Sequence, residues 1–247
     1  MYLVPKLPGK VQYLSNFSFP LVTKLCQKTT VEQFVGGRPG YDKEILFGWL
    51  LVKKVMHWGY ETIASMAGVS HPTLIRANKY FLEKGIYHKV FVALVKKAYK
   101  QGLIKGRFVA MDSCFVKTFS KKQELGSEGW NDFKKAYGFK LHLLIDCETK
   151  FPIALIVTNG LASDGTLAIP LLKKARAWLK RCGYVLADKG YDDGDIVNWI
   201  VKALQAKAGI PIRKTYKGKK GDKGGNFLNW QLKAKGRSIK KSIYNRR

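Results

Sequence analysis

Two apolar runs in this chain each close on an aspartate: FVAMD ends at Asp112 and YVLAD ends at Asp188, with three further carboxylates, Asp192, Asp193 and Asp195, just beyond the second. Acids are scarce here, 17 Asp and Glu against 45 Lys and Arg. Two carboxylates brought to neighbouring strand ends repel one another unless a cation lies between them. Carboxylate oxygens are the hard donors that Mg²⁺ and Mn²⁺ prefer, and a pair of such ions about 3.5 to 4 Å apart activates a water or hydroxyl and stabilises the leaving oxygen of a phosphodiester. The spacing leaves a plainer reading open, in which Asp188 merely caps the turn before the next helix.

The elements that must position these acids follow from periodicity. From Arg107 onward RFVAMDSCFVK, YGFKLHLLID and PIALIVT are β-rich runs separated by turn signals, which suits an antiparallel meander. A helix is expected over Ser163 to Arg181, capped by Ser163 or Asp164, with Pro170 near its first turn or kinking it. A short strand from Tyr184 to Asp188, a helix from Asp193 to Ala206 and a short strand from Gly209 to Arg213 complete a mixed sheet with helices against it. Residues 1–106 carry apolar positions at helical spacing in Tyr41 to Trp58 and Ile86 to Tyr99. The fold class is therefore α+β or α/β: an all-helical domain over 1–106, then a mixed-sheet domain over 107–247.

The formal charge of +28 points to a polyanionic partner, nucleic acid before a membrane surface. The longest apolar run, Leu46 to Val52, falls far short of the roughly 20 residues of a membrane helix. Pro5 and Pro8 interrupt the N-terminus where a signal peptide needs an apolar core, so a soluble cytoplasmic protein, associated with the nucleoid of a prokaryote and not with a membrane, is expected. Cys26, Cys114, Cys147 and Cys182 form no CxxC pair and are expected to be buried thiols.

Two stretches suit DNA. Tyr60 to Ala77, YETIASMAGVSHPTLIRA, has the helix-turn-helix pattern: Ile63, Ala67, Val69, Leu74 and Ala77 face the core, Gly68 makes the turn, and Ser70 caps the second helix ahead of Pro72. His71, Thr73, Arg76 and Lys79 are left near the outer face for phosphates or base edges, although a plain helical hairpin has the same pattern. From Lys214 to Arg247 there are twelve Lys or Arg and one acid, Asp222, interleaved with Tyr216, Phe227, Trp230 and Tyr244. Lys217, Lys219, Lys220, Tyr244 and Arg246 are candidate nucleic-acid contacts, against the plainer reading of a solvated linker.

Taken in order, VAMDS, YGFKLHLLIDCETKFPIALIVTNGLASDG and LADKGYDD resemble the catalytic domain of DDE transposases from bacterial and archaeal insertion sequences. The resemblance covers about Arg107 to Arg213 and implies a ribonuclease-H-like fold. It implies Asp112 and Asp188 as catalytic acids and metal ligands, with Mg²⁺ or Mn²⁺ as cofactor. It implies a structural or capping role for Asp164, and Gly190 and Tyr191 shaping the turn after the second acid. Lys140 and His142 match the second-strand motif; their alternation puts both on one sheet face, toward DNA phosphate or, for His142, as a satisfied sheet residue. The implied partner is double-stranded DNA, the element's terminal inverted repeats and its target, with a homodimer as the active form.

One part of the pattern is missing. The family's third acid is a Glu on a helix a few residues beyond a Tyr-x-Arg element; SIYNRR supplies Tyr244 and Arg246, but no Glu follows Glu148. The third ligand is expected to be absent by truncation, whether through a shortened chain or gene remnant, a frameshift joining a second reading frame, or replacement by Asp222. The leading expectation is a transposase performing metal-dependent phosphodiester hydrolysis and strand transfer. The alternatives are a catalytically incomplete DNA-binding regulator of the same element and a cellular nuclease on the same fold.

Overall fold

The computed structural model describes residues 41–118, 127 and 129–211, which divide into two compact units, one ending at Leu94 and one beginning at Val95. In the first, helices α1 (Lys43–Met56), α2 (Tyr60–Ala67), α3 (His71–Glu83) and the start of α4 (Ile86–Lys100) enclose an apolar cluster. Phe47, Ile63, Leu74, Phe81 and Ile86 are fully buried there, with the Phe47 and Phe81 rings edge to face at 5.2 Å. The turn between α2 and α3 places Gly68 at φ 64°, in the left-handed region that glycine enters without steric cost. Val69 then donates back to the Ala64 carbonyl, closing α2 in one turn.

The second unit is a five-stranded mixed sheet flanked by helices, as expected. Its strands are β1 (Phe108–Lys117), β2 (Gly138–Asp146), β3 (Pro152–Asn159), β4 (Tyr184–Leu186) and β5 (Lys207–Gly209), in the order β3-β2-β1-β4-β5. β1, β2 and β3 are antiparallel neighbours, whereas β4 and β5 run parallel to β1. Helix α5 (Asp164–Ala175) crosses from β3 toward β4 and packs on β1, β2 and β3; α6 (Gly194–Leu204) joins β4 to β5. Odd-numbered residues of β1, Val109 and Met111, and Leu144 of β2 are buried on one face, under α5 and the apolar residues Ala168, Leu171 and Leu172.

Several boundaries differ from expectation for identifiable reasons. Asp112 does not end its strand but lies at its fifth residue, because β1 continues to Lys117 on its pairing with β2 after its pairing with β4 has stopped at Ala110. The helix expected over Ser163 to Arg181 is α5 followed by one 3₁₀ turn, Arg176–Trp178, and Pro170 sits inside α5 rather than in its first turn. The last strand comes earlier than Gly209, at Lys207–Gly209, set by its register against Tyr184–Leu186. Cys147 is half-buried and Cys182 buried, but Cys114 is exposed, since it lies on the part of β1 that β4 does not flank. Among the described residues no helix is long and apolar enough to cross a membrane.

Candidate functional site

Asp112 and Asp188 lie on neighbouring elements, β1 and the turn after β4, whose pairing is long-range in sequence. β1 and β4 are in parallel register, Phe108 with Tyr184 and Ala110 with Leu186. That pairing ends at Ala110 and Leu186, and Asp112 and Asp188 each lie two residues beyond it. Alternation along β1 turns Asp112 to the face opposite Met111. Both are exposed.

Each carboxylate commits one oxygen to local backbone. Asp112 Oδ1 accepts from the Ser113 amide at 2.8 Å, and Asp188 Oδ1 accepts from the Gly190 amide at 2.7 Å, capping the 3₁₀ turn Lys189–Tyr191. Among the described residues no Lys, Arg or His pairs with either carboxylate. In a chain with a formal charge of +28 that is a distinctive local composition. The rest of the acidic run has other work: Asp193 caps α6 through the Asp195 and Ile196 amides, and Asp195 lies in its first turn, where the helix dipole favours an acid.

The other face of the sheet carries a buried polar cluster at the start of α5. Lys140 Nζ lies 2.9 Å from Asp164 Oδ1 and donates to the Ala162 carbonyl at 3.1 Å. His142 is 1% exposed; its Nε2 shares a hydrogen bond with Thr158 Oγ1 at 3.0 Å, and its Nδ1 lies 3.5 Å from Asp164 Oδ1. Burial lowers the His142 pKa from its ordinary value, with Asp164 opposing and Lys140 reinforcing the shift. Lys140 and His142 do share a face, as their register positions opposite Phe115 and Ser113 require. Lys140 Nζ and His142 Nε2 are engaged with the start of α5 and with β3, whereas His142 Nδ1 makes no hydrogen bond among the described residues; Asp164 serves this cluster rather than the cap of its own helix, where Ser163 holds the N-cap position.

Tyr191, at the end of the Asp188 turn, is 2% exposed, and its hydroxyl has no hydrogen-bond partner among the described residues. Burial, then the charges of Asp164, Asp112 and Asp188, push its pKa far above the ordinary phenol value. Ser113 lies near enough to oppose that shift, but without the geometry of a hydrogen bond to the phenol oxygen.

Sequence reasoning missed Asp146, a fully buried carboxylate at the end of β2. Its Oδ2 accepts from the Lys105 and Gly106 amides at 2.9 and 2.7 Å, and its Oδ1 from the Glu148 and Thr149 amides at 2.9 and 3.0 Å. Burial would raise its pKa, but these four donors outweigh it and hold the carboxyl below the ordinary value. Gly106, at φ 62°, has no room for a side chain: a Cβ would come within 2.5 Å of the Trp178 carbonyl. Asp146 thus ties the entry of β1 to the exit of β2. The D-C-E-T sequence signals the local half of this clamp as an Asx turn; nothing local signals the bonds to Lys105 and Gly106.

In the helical unit, His71, Arg76 and Lys79 are exposed and Thr73 half-buried along α3. Thr73, Arg76 and Lys79 follow one another at three-residue spacing, which keeps them on one side of the helix. Ser70 holds the N-cap position, although its hydroxyl meets Thr73 Oγ1 at 2.8 Å instead of a backbone amide. Lys217, Lys219, Lys220, Tyr244 and Arg246 lie outside the described residues, as does Asp222. Asp112 and Asp188 offer hard oxygen donors of the kind a divalent cation takes, yet among the described residues no group of three or more His, Cys, Asp and Glu gathers to hold one.

Residues 104–247 match the family model described as Transposase DDE domain. Among solved structures the chain is similar to the piggyBac transposase in its synaptic complex with hairpin DNA, at 12% identity over 83% of this chain and 51% of that one, with a TM-score of 0.48. It is also similar to the Mos1 transposase in a paired-end complex with the left transposon end (14% identity, 82% of this chain and 78% of that one, TM-score 0.29). A Mos1 mariner paired-end complex with Mn gives 14% identity, the same coverage and a TM-score of 0.26. The chain spans about half the length of the piggyBac protein. No curated protein matches it.

Proposed function

The chain belongs to the transposase DDE domain family, and on that premise we propose that Asp112 and Asp188 are the catalytic, metal-ligating pair of a transposase that hydrolyses phosphodiesters at insertion-sequence ends and transfers the strands. One observation carries this reading: two exposed carboxylates, each two residues past the end of the β1–β4 pairing, pair with no Lys, Arg or His among the described residues, in a protein otherwise crowded with lysine. Like charges so placed are costly unless a cation resides there. Mg²⁺ or Mn²⁺, when bound, supplies that neutralisation and Lewis-acid activation of the attacking water or 3′-hydroxyl. The chain's own contribution is to hold both acids in place, Asp112 on a strand and Asp188 on a capped turn.

In this reading the helical domain over 1–106 grips the terminal inverted repeat through the outer side of α3, with α2 and α3 acting as a helix-turn-helix. His71, Thr73, Arg76 and Lys79 make the contacts, the basic tail with Lys217, Lys219, Lys220, Tyr244 and Arg246 adds phosphate contacts, and the active form is a homodimer holding two ends. Lys140 and His142 are assigned to the support of α5 rather than to DNA. The third donor comes from outside the described residues.

Nicking of end-sequence DNA with Mg²⁺ or Mn²⁺ is the test, using the chain joined to any Glu-bearing continuation its gene encodes. End-specific nicking that disappears in Asp112→Ala and in Asp188→Ala supports the reading; nicking that survives Asp112→Ala ends it. That the described residues offer this site only Asp112 and Asp188 favours a second reading, a regulator that occupies the ends without cutting. It predicts end-selective binding unchanged by Asp188→Ala and no nicking at any cation concentration.

A further inference from the structure

A buried hydroxyl without a partner is costly, and proteins seldom retain one without a use for it. Tyr191 is such a case. It is buried in the turn that Asp188 caps, three residues past Asp188 itself, and this turn packs against α5; the charges of Asp164, Asp112 and Asp188 reinforce burial in keeping its phenol protonated. A phenylalanine would fill the same space without the unmet donor, so the ring alone does not account for the tyrosine.

We infer that Tyr191 is a positioning residue of the carboxylate pair, its buried hydroxyl donating to the pair only once a divalent cation has drawn Asp112 and Asp188 into their binding arrangement. The inference rests on the reading of those two acids as metal ligands. Tyr191 acts through them: a donor behind a ligating carboxylate fixes its orientation and thereby the affinity of the site. The hydroxyl is unsatisfied while the acids are apart from a cation and satisfied when they hold one. Its cost to the cation-free protein is therefore the counterpart of a gain on binding.

The experiment compares wild type, Tyr191→Phe, Tyr191→Ala and Asp188→Ala as full-length chains, measuring thermal unfolding across a Mn²⁺ titration. Without cation, Tyr191→Phe should unfold at the wild-type temperature or above it, whereas Tyr191→Ala should unfold lower because it leaves a cavity. With Mn²⁺, the midpoint concentration for stabilisation should rise about tenfold in Tyr191→Phe, the size expected for losing one hydrogen bond to a charged group. Equal Mn²⁺ midpoints in wild type and Tyr191→Phe, with the shift abolished by Asp188→Ala, overturn the inference alone. A Tyr191→Phe protein that is less stable without cation also overturns it, since the hydroxyl would then already have a partner. If wild type shows no Mn²⁺ shift, or one that Asp188→Ala leaves intact, the metal-ligand reading fails and takes the inference with it.

Discussion

Replacing Asp146 by Asn tests the account of the sheet at its most concentrated point. The wild-type carboxylate accepts four backbone amides, two from the approach to β1 and two from the turn after β2. A hydrogen bond to a charged acceptor contributes about 1.5 to 3 kcal/mol. Asn keeps one acceptor oxygen and turns its amide group toward donors that need acceptors, so at least two bonds are broken. Allowing for relaxation and non-additivity, the cost is about 3 kcal/mol, a large fraction of the roughly 5 to 15 kcal/mol typical of a domain. Urea unfolding followed by circular dichroism measures it, and hydrogen exchange at the Lys105 and Gly106 amides localises it. The pH dependence separates charge from shape. Because the folded carboxyl titrates below its ordinary value of 3.8, its contribution is complete above that value and is lost as pH falls through the folded pKa. The gap between wild type and Asp146→Asn should thus be constant from about pH 7 to 5 and close at lower pH. A gap under about 1 kcal/mol at neutral pH, or one that persists undiminished in acid, refutes the reasoning.

Two further outcomes follow from groups described above. His142 has its folded pKa lowered from 6.5, so the unfolded chain binds the extra proton first; stability should be flat above about pH 6.5 and decline below it, and a His142→Gln variant should lack that decline in urea melts taken from about pH 7.5 to 5. Arg76→Ala and Lys79→Ala should each weaken binding of double-stranded DNA and lower the slope of log affinity against log salt by about one per phosphate that is no longer neutralised, read by fluorescence anisotropy at several salt concentrations.

The architecture was legible because periodicity and turn chemistry agree along most of the chain. Gly68 and Ser70 mark the α2–α3 turn, and the YGFKLHLLID and PIALIVT runs alternate as strands flanked by clear turns. What local pattern could not supply is register. Asp112 falls in mid-strand because β2 continues to pair where β4 does not, and Cys114 is exposed for the same reason. That the strand bearing Asp112 neighbours the one leading to Asp188 depends on three paired residues separated by more than seventy positions in sequence. Asp164 is legible as an acid at a helix start, but its engagement with Lys140 and His142 depends on α5 packing across β2. The solitary hydroxyl of Tyr191 has no signature in sequence at all.

The order of assembly is written into the sheet's connections. β1, β2 and β3 follow one another through antiparallel turns, whereas β4 and β5 are three-residue strands that can join only after helical crossovers have been traced. Closing loops over longer separations costs more entropy before any pairing offsets it, so the meander forms early and the β4–α6–β5 segment docks last and opens first. Asp112 belongs to the early part and Asp188 to the late one. A partly opened chain therefore keeps Asp112 on its strand while the segment that carries Asp188 is detached.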